Sequence, residues 1–87
     1  MYDVQLTSKV MSCLKGLPSD ARKTCANIHR LLAENPYRGH ALTGRFRGLR
    51  RFKVGNIRLV YKVNEADRIL TTIMMKYGEN IGEDTNE

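Results

Sequence analysis

Apolar and polar positions sort this chain of 87 residues into a short series of segments. Tyr2, Val4 and Leu6 alternate with Asp3 and Gln5, the period of a strand. Val10, Met11, Leu14 and Leu17 then recur at helical spacing. Thr7 or Ser8 is placed to cap that helix, and Gly16 with Pro18 ends it. A second helix follows, with Ser19 as its cap and Asp20 in the first turn, where a carboxylate complements the helix dipole. Its buried stripe is Ala21, Cys25, Ile28, Leu31 and Leu32, with Arg22, Lys23, Arg30 and Glu34 toward solvent. Asn35-Pro36 stops it. Tyr37 to Gly48 shows no apolar periodicity and reads as a loop. Two short strands meet at Gly55-Asn56, and Glu65-Ala66-Asp67 makes a further tight turn. Ile69 to Met75 is apolar with two threonines and is expected to be the last and most buried strand.

The pair of strands around Gly55-Asn56 carries the most information. A two-residue loop of this kind is a hairpin signal, and it fixes the register by counting outward. Val54 faces Ile57, Lys53 faces Arg58, Phe52 faces Leu59, Arg51 faces Val60 and Arg50 faces Tyr61. Opposed residues share a face. One face therefore holds Phe52, Val54, Ile57, Leu59 and Tyr61, with Tyr61 assigned to the core. The other holds Arg51, Lys53 and Arg58. Like charges set directly opposite destabilise a sheet, so Lys53 across from Arg58 is a local cost of the kind expected where function demands it.

These elements give one α+β domain over residues 1–77 in the order β-α-α-β-β-β, with an antiparallel sheet packed on a helical hairpin. No helix is left for the second sheet face, which is expected to be open and basic. There are no internal repeats.

Charge sharpens this. Net charge is +6 overall, but all fifteen Lys and Arg lie in residues 1–77 against five acids, a balance of +10. Residues 78–87 carry four acids and no base, an acidic polar tail expected to be flexible. Between Asn35 and Asn64 there are eight bases and no acid. Such density favours a polyanionic partner, either nucleic acid or an acidic protein. No apolar run approaches bilayer length, and the opening residues lack a signal-peptide pattern. The expectation is a cytoplasmic protein with no membrane association. Cys13 and Cys25 have no metal-ligand spacing and read as reduced thiols on the two helices.

No Ser/His/Asp, Cys/His or paired-carboxylate constellation exists, and the glycines form no phosphate-binding fingerprint. No metal or other cofactor is expected. Of the two imidazoles, His29 sits on the second helix and reads as a surface residue. His40 lies in the basic loop before the hairpin, near enough to reach the cationic face.

The run Ala41-Leu42-Thr43-Gly44, followed by Arg51-Phe52-Lys53-Val54-Gly55-Asn56-Ile57-Arg58-Leu59-Val60-Tyr61, resembles the RelE/ParE superfamily of type II toxins. Arg50, Asn56 and Ile57 stand where that pattern usually has an aromatic, Asp and Tyr. The usual basic segment after the last strand is represented only by Lys76 and Tyr77. The resemblance implies a compact RelE-like toxin neutralised by a cognate antitoxin protein, in a hetero-oligomer with it. In the RelE-like branch it implies an endoribonuclease that cuts mRNA on the ribosome. Arg51, Lys53 and Arg58 would then be catalytic, with Arg45, Arg47, Arg50, Lys62, Lys76 and Tyr77 binding RNA. Arg58 would clamp the scissile phosphate, and Lys53, crowded by two cations, is the candidate for proton transfer. ParE-like members share the fold and inhibit DNA gyrase. A gyrase inhibitor, or a non-catalytic RNA-binding or degenerate toxin domain, are the alternative readings.

Overall fold

The hairpin adopts the register that its turn predicts. The computed structural model describes residues 1–78, so the expected acidic tail lies, from residue 79 onward, outside the described residues. Strands β3 (Leu49–Val54) and β4 (Ile57–Asn64) pair antiparallel, with Val54 opposite Ile57 and each pair outward to Leu49 opposite Lys62. Gly55 alone of the turn pair takes a positive φ, 57°, as a turn with glycine in its first central position requires.

Before the hairpin come β1 (Asp3–Leu6), α1 (Ser8–Lys15) and α2 (Ser19–Glu34); after it comes β5 (Ile69–Tyr77). The Thr7 hydroxyl caps α1 by accepting from the Val10 amide at 3.2 Å. Ser19 is not the cap expected of it. Pro18 holds that position, its ring fixing φ at −58° with an extended ψ of 158°, and its carbonyl accepts the first helical bond from Arg22. The segment 37–48 is not wholly loop. His40–Ala41 forms a two-residue strand, β2, on the outer edge of β3.

The sheet runs β1-β5-β4-β3-β2. It is antiparallel except at its first edge, where β1 lies parallel to β5, a difference from the wholly antiparallel sheet expected. The chain leaves β1 through both helices and returns at its far end. Such a long crossover permits a parallel pair, whereas short turns make antiparallel ones.

Position in the sheet also corrects the burial order. β4 is the central strand, and Ile57 to Tyr61 are all buried, whereas β5 alternates. The core joins Val10, Leu17, Ala21, Cys25, Ile28 and Leu32 from the helical layer to Ile57, Leu59, Tyr61, Leu70 and Met75 from the sheet. Met11 and Leu31 are exposed on the shoulders of their helices. The buried stripe of each helix is thus narrower than its apolar pattern.

His29 is not a surface residue. It lies four positions after Cys25, on the stripe that faces the sheet. Its Nδ1 lies 3.0 Å from the Cys25 carbonyl and its Nε2 2.7 Å from the Thr72 hydroxyl. A carbonyl can only accept, so Nδ1 carries the proton and Nε2 accepts from Thr72. Thr72 is fully buried, and the pair bolts α2 to β5.

Candidate nucleic-acid interface

Two rows of side chains cross the face of the sheet away from the helices. The first is Lys53 on β3, Arg58 on β4 and Lys76 on β5, each directly opposite the next. The second, one step along the strands, is His40 on β2, Arg51 on β3, Val60 on β4 and Met74 on β5. Neighbouring strands lie about 4.8 Å apart, so a phosphate group can meet several of these side chains at once. Arg51, Lys53 and Arg58 come together as the hairpin register requires, and Lys76 joins them.

The face is not open throughout. Lys53, Lys62, Lys76 and His40 are exposed and Arg51 half-buried, but Arg58 is only 6% exposed. It stands on the middle strand with a long side chain to either side, where alternation within the hairpin alone leads one to expect a solvated residue. A guanidinium is planar and always charged, so the central strand carries a fixed positive charge between Lys53 and Lys76.

Strand alternation separates other candidates from these rows. Tyr77 pairs with Ile57 and so points to the helix side. There it lines a cleft of about 310 Å³ with Asp20, Thr24 and Val54. It does not lie beside the cations as a stacking platform. Arg50 pairs with Tyr61 and is also turned from the basic face. Its guanidinium donates to the Gly39 carbonyl at 2.8 Å and the Tyr37 carbonyl at 3.2 Å. It also stacks 5.2 Å from the centre of the Tyr37 ring. Arg50 thus braces the chain before β2, on the side away from the other cations.

Lys62 shares the cationic face but sits opposite Leu49. Leu49 is four residues along β3 from Lys53, roughly 13 Å at strand spacing. With Leu49 and Arg50 it lines a shallow cleft of about 580 Å³. Arg45 and Arg47 are exposed on the loop at that same end, Arg45 lying 5.3 Å from the centre of the Phe46 ring. These three form a second basic zone apart from the rows.

A buried lock holds β2 against β3. Tyr61 is fully buried; its hydroxyl donates to the Pro36 carbonyl at 2.6 Å and accepts from the Gly39 amide at 3.1 Å. Burial raises the Tyr61 phenol above its ordinary range, so it stays a donor at neutral pH. Tyr37, next in the chain after Pro36, donates to the Glu65 carboxylate. That hydrogen bond is the main cause of the upward shift of its phenol. Among the described residues, no cluster of His, Cys, Asp and Glu could hold a metal ion. No helix in that range is long and apolar enough to cross a membrane.

His40, expected within reach of the cationic face, lies on it directly opposite Arg51. Its strand is two residues long, too short for any periodic signal, and only pairing with β3 brings it beside Arg51.

The fold recurs in solved structures. The RelBE2 toxin–antitoxin complex of Mycobacterium tuberculosis matches with a TM-score of 0.84 at 20% identity, over 88% of this chain and 98% of that one. The isolated RelE toxin of E. coli matches at 0.78 and 20%, over 91% and 86%. A YoeB/ParE toxin from Agrobacterium tumefaciens matches at 0.73 and 15%, over 88% and 99%. Identities this low speak for the fold alone. No curated relative matches the chain significantly. The family model of the ParE toxin of type II toxin-antitoxin systems, parDE, matches residues 4–74, a span that includes both helices and the whole cationic hairpin. The chain belongs to the ParE toxin family of type II toxin–antitoxin systems, within the RelE/ParE superfamily.

Proposed function

We propose that this toxin acts as a ribosome-dependent, metal-independent endoribonuclease that cuts messenger RNA. The observation that carries the reading is the row Lys53–Arg58–Lys76 with Arg51 beside it. Cleavage by the RNA's own 2′-hydroxyl needs the hydroxyl proton removed, charge on the phosphoryl oxygens neutralised and the 5′-oxygen protonated. Arg58 is suited to clamp the scissile phosphate, Arg51 to position it, and the flanking ammonium groups to supply a proton to the leaving oxygen. Cations alone make a slow catalyst. The ribosome would supply much of the remainder by holding the message in line for attack.

A cognate antitoxin is the expected protein partner. Solved complexes of similar fold contain one. An acidic or amphipathic segment would complement the +10 balance of residues 1–77. The second reading is gyrase inhibition. It is favoured by the position of Tyr77, which is turned from the cations and so provides no base-stacking platform next to them.

Inducible expression of wild type and Arg58→Ala, with primer extension on a translated message, separates the two. New 5′ ends within the reading frame that vanish in Arg58→Ala support cleavage. Growth arrest with intact message rejects it and leads to a supercoiling assay.

A further inference from the structure

Cleavage needs a group that takes the proton of the 2′-hydroxyl. Arg51, Lys53, Arg58 and Lys76 are side chains of the donor-only cationic type, and residues 36–63 contain no carboxylate. One side chain on the face differs. His40 is exposed on β2 and stands directly opposite Arg51, so both project from the cationic side. The other imidazole, His29, is committed to Cys25 and Thr72 on the helix side of the sheet.

The structure holds His40 there by unusual means for a two-residue strand. The preceding Gly39 is buried. A Cβ at that position would meet the Tyr61 hydroxyl at 2.5 Å and the Arg51 carbonyl at 2.7 Å. Gly39 therefore lets the backbone press against β3 more closely than any other residue would. Its amide binds Tyr61 and its carbonyl binds Arg50. Both groups of the residue next to His40 are thus tied to the core, while His40 itself is left to solvent.

We propose that His40 is the general base of the cleavage reaction. This rests on the endoribonuclease reading. In-line displacement needs its base and its acid on opposite sides of phosphorus. Here the imidazole lies on the β2 side of the guanidiniums and Lys76 on the β5 side. A neutral ring nitrogen of His40 takes the proton from the 2′-hydroxyl as the 2′-oxygen bonds to phosphorus. The P–O5′ bond breaks, and the 5′-oxygen takes a proton from the Lys76 ammonium group on the β5 side. The products are a 2′,3′-cyclic phosphate and a 5′-hydroxyl, with no oxidant, metal or further reactant.

The test is single-turnover cleavage of a short message on programmed ribosomes by wild type, His40→Ala, His40→Gln and Arg58→Ala, at saturating protein. The expected result is a loss of about 10²–10⁴-fold in the cleavage rate constant for both His40 variants, with half-saturation unchanged. Free imidazole should restore a part of the His40→Ala rate and none of the Arg58→Ala rate. Two outcomes overturn the inference while the nuclease reading stands: His40→Gln cleaving at the wild-type rate, or a slow His40→Ala that imidazole does not help. A wild type that leaves the message intact overturns both, and this control tells the two failures apart.

Discussion

The Tyr61 hydroxyl lies 3.1 Å from the Gly39 amide, and this contact determines where the edge strand can lie. The first prediction concerns that pair. Gly39→Ala would place a methyl group against both Tyr61 and the Arg51 carbonyl, and overpacking of this kind costs about 1–3 kcal/mol. Tyr61→Phe removes a buried donor and leaves the Pro36 carbonyl and Gly39 amide unsatisfied, at about 1–3 kcal/mol. Because the two changes share one contact, the double variant should lose less than the sum of the singles. The relief stays partial, since the Arg51 carbonyl remains in the way. Urea unfolding of the four proteins measures the coupling, and strict additivity would contradict it.

A second prediction follows from His29. Burial holds its pKa below the ordinary 6.5, so the unfolded chain binds a proton at a higher pH than the folded one. The stability tied to neutral His29 is complete above about pH 6.5 and is lost as pH falls from there toward the folded-state value. The urea midpoint of the wild type should therefore drop between pH 7 and 5 more steeply than that of His29→Gln. Parallel curves for the two proteins would place the titration elsewhere. At pH 7, Thr72→Val should cost about 1 kcal/mol through the lost bond to Nε2.

Lys53 tests the conflict between function and stability. It faces Arg58 across the β3–β4 ladder. Lys53→Glu replaces repulsion with attraction, a cross-strand change worth of the order of 0.5 kcal/mol. The variant should melt at least as high as wild type while losing messenger cleavage. A clear fall in melting temperature would show that Lys53 has a structural partner.

Salt dependence should sort the cations by role. For single-stranded nucleic acid, each phosphate neutralised adds about 0.7 to the magnitude of the slope of log K against log salt. Lys53→Ala and Lys76→Ala should each reduce the slope by about that amount. Arg50→Ala should leave it unchanged, because its guanidinium is bonded to Gly39 and Tyr37, and should lower thermal stability instead. A reduced slope with Arg50→Ala would return that residue to the RNA surface.

Much of the candidate site is readable from local rules. A two-residue turn permits one register, so counting outward from Gly55-Asn56 is enough to put Arg51, Lys53 and Arg58 on one face. The same register sets Arg50 opposite Tyr61, on the side away from the other cations. His29 is readable too, since it falls one helical turn after buried Cys25; its polarity hides it among the solvent-facing positions. Tyr77 is two residues beyond Met75, which is 8% exposed, and alternation carries it to the same side.

By itself, then, the sequence determined the order of helices and strands, the hairpin and the sorting of its cations to one side. Each of these depends on neighbours within a few residues, through turn geometry and the periods of helix and strand. Only the tertiary structure decided that β1 lies parallel to β5, that Arg58 occupies the central strand between Lys53 and Lys76, and that His40 stands beside Arg51. Those relationships depend on which strands become neighbours in the sheet. That choice is made by covering the helices' apolar stripes and by the Gly39–Tyr61 contact, between residues far apart in the chain, where no local period can register it.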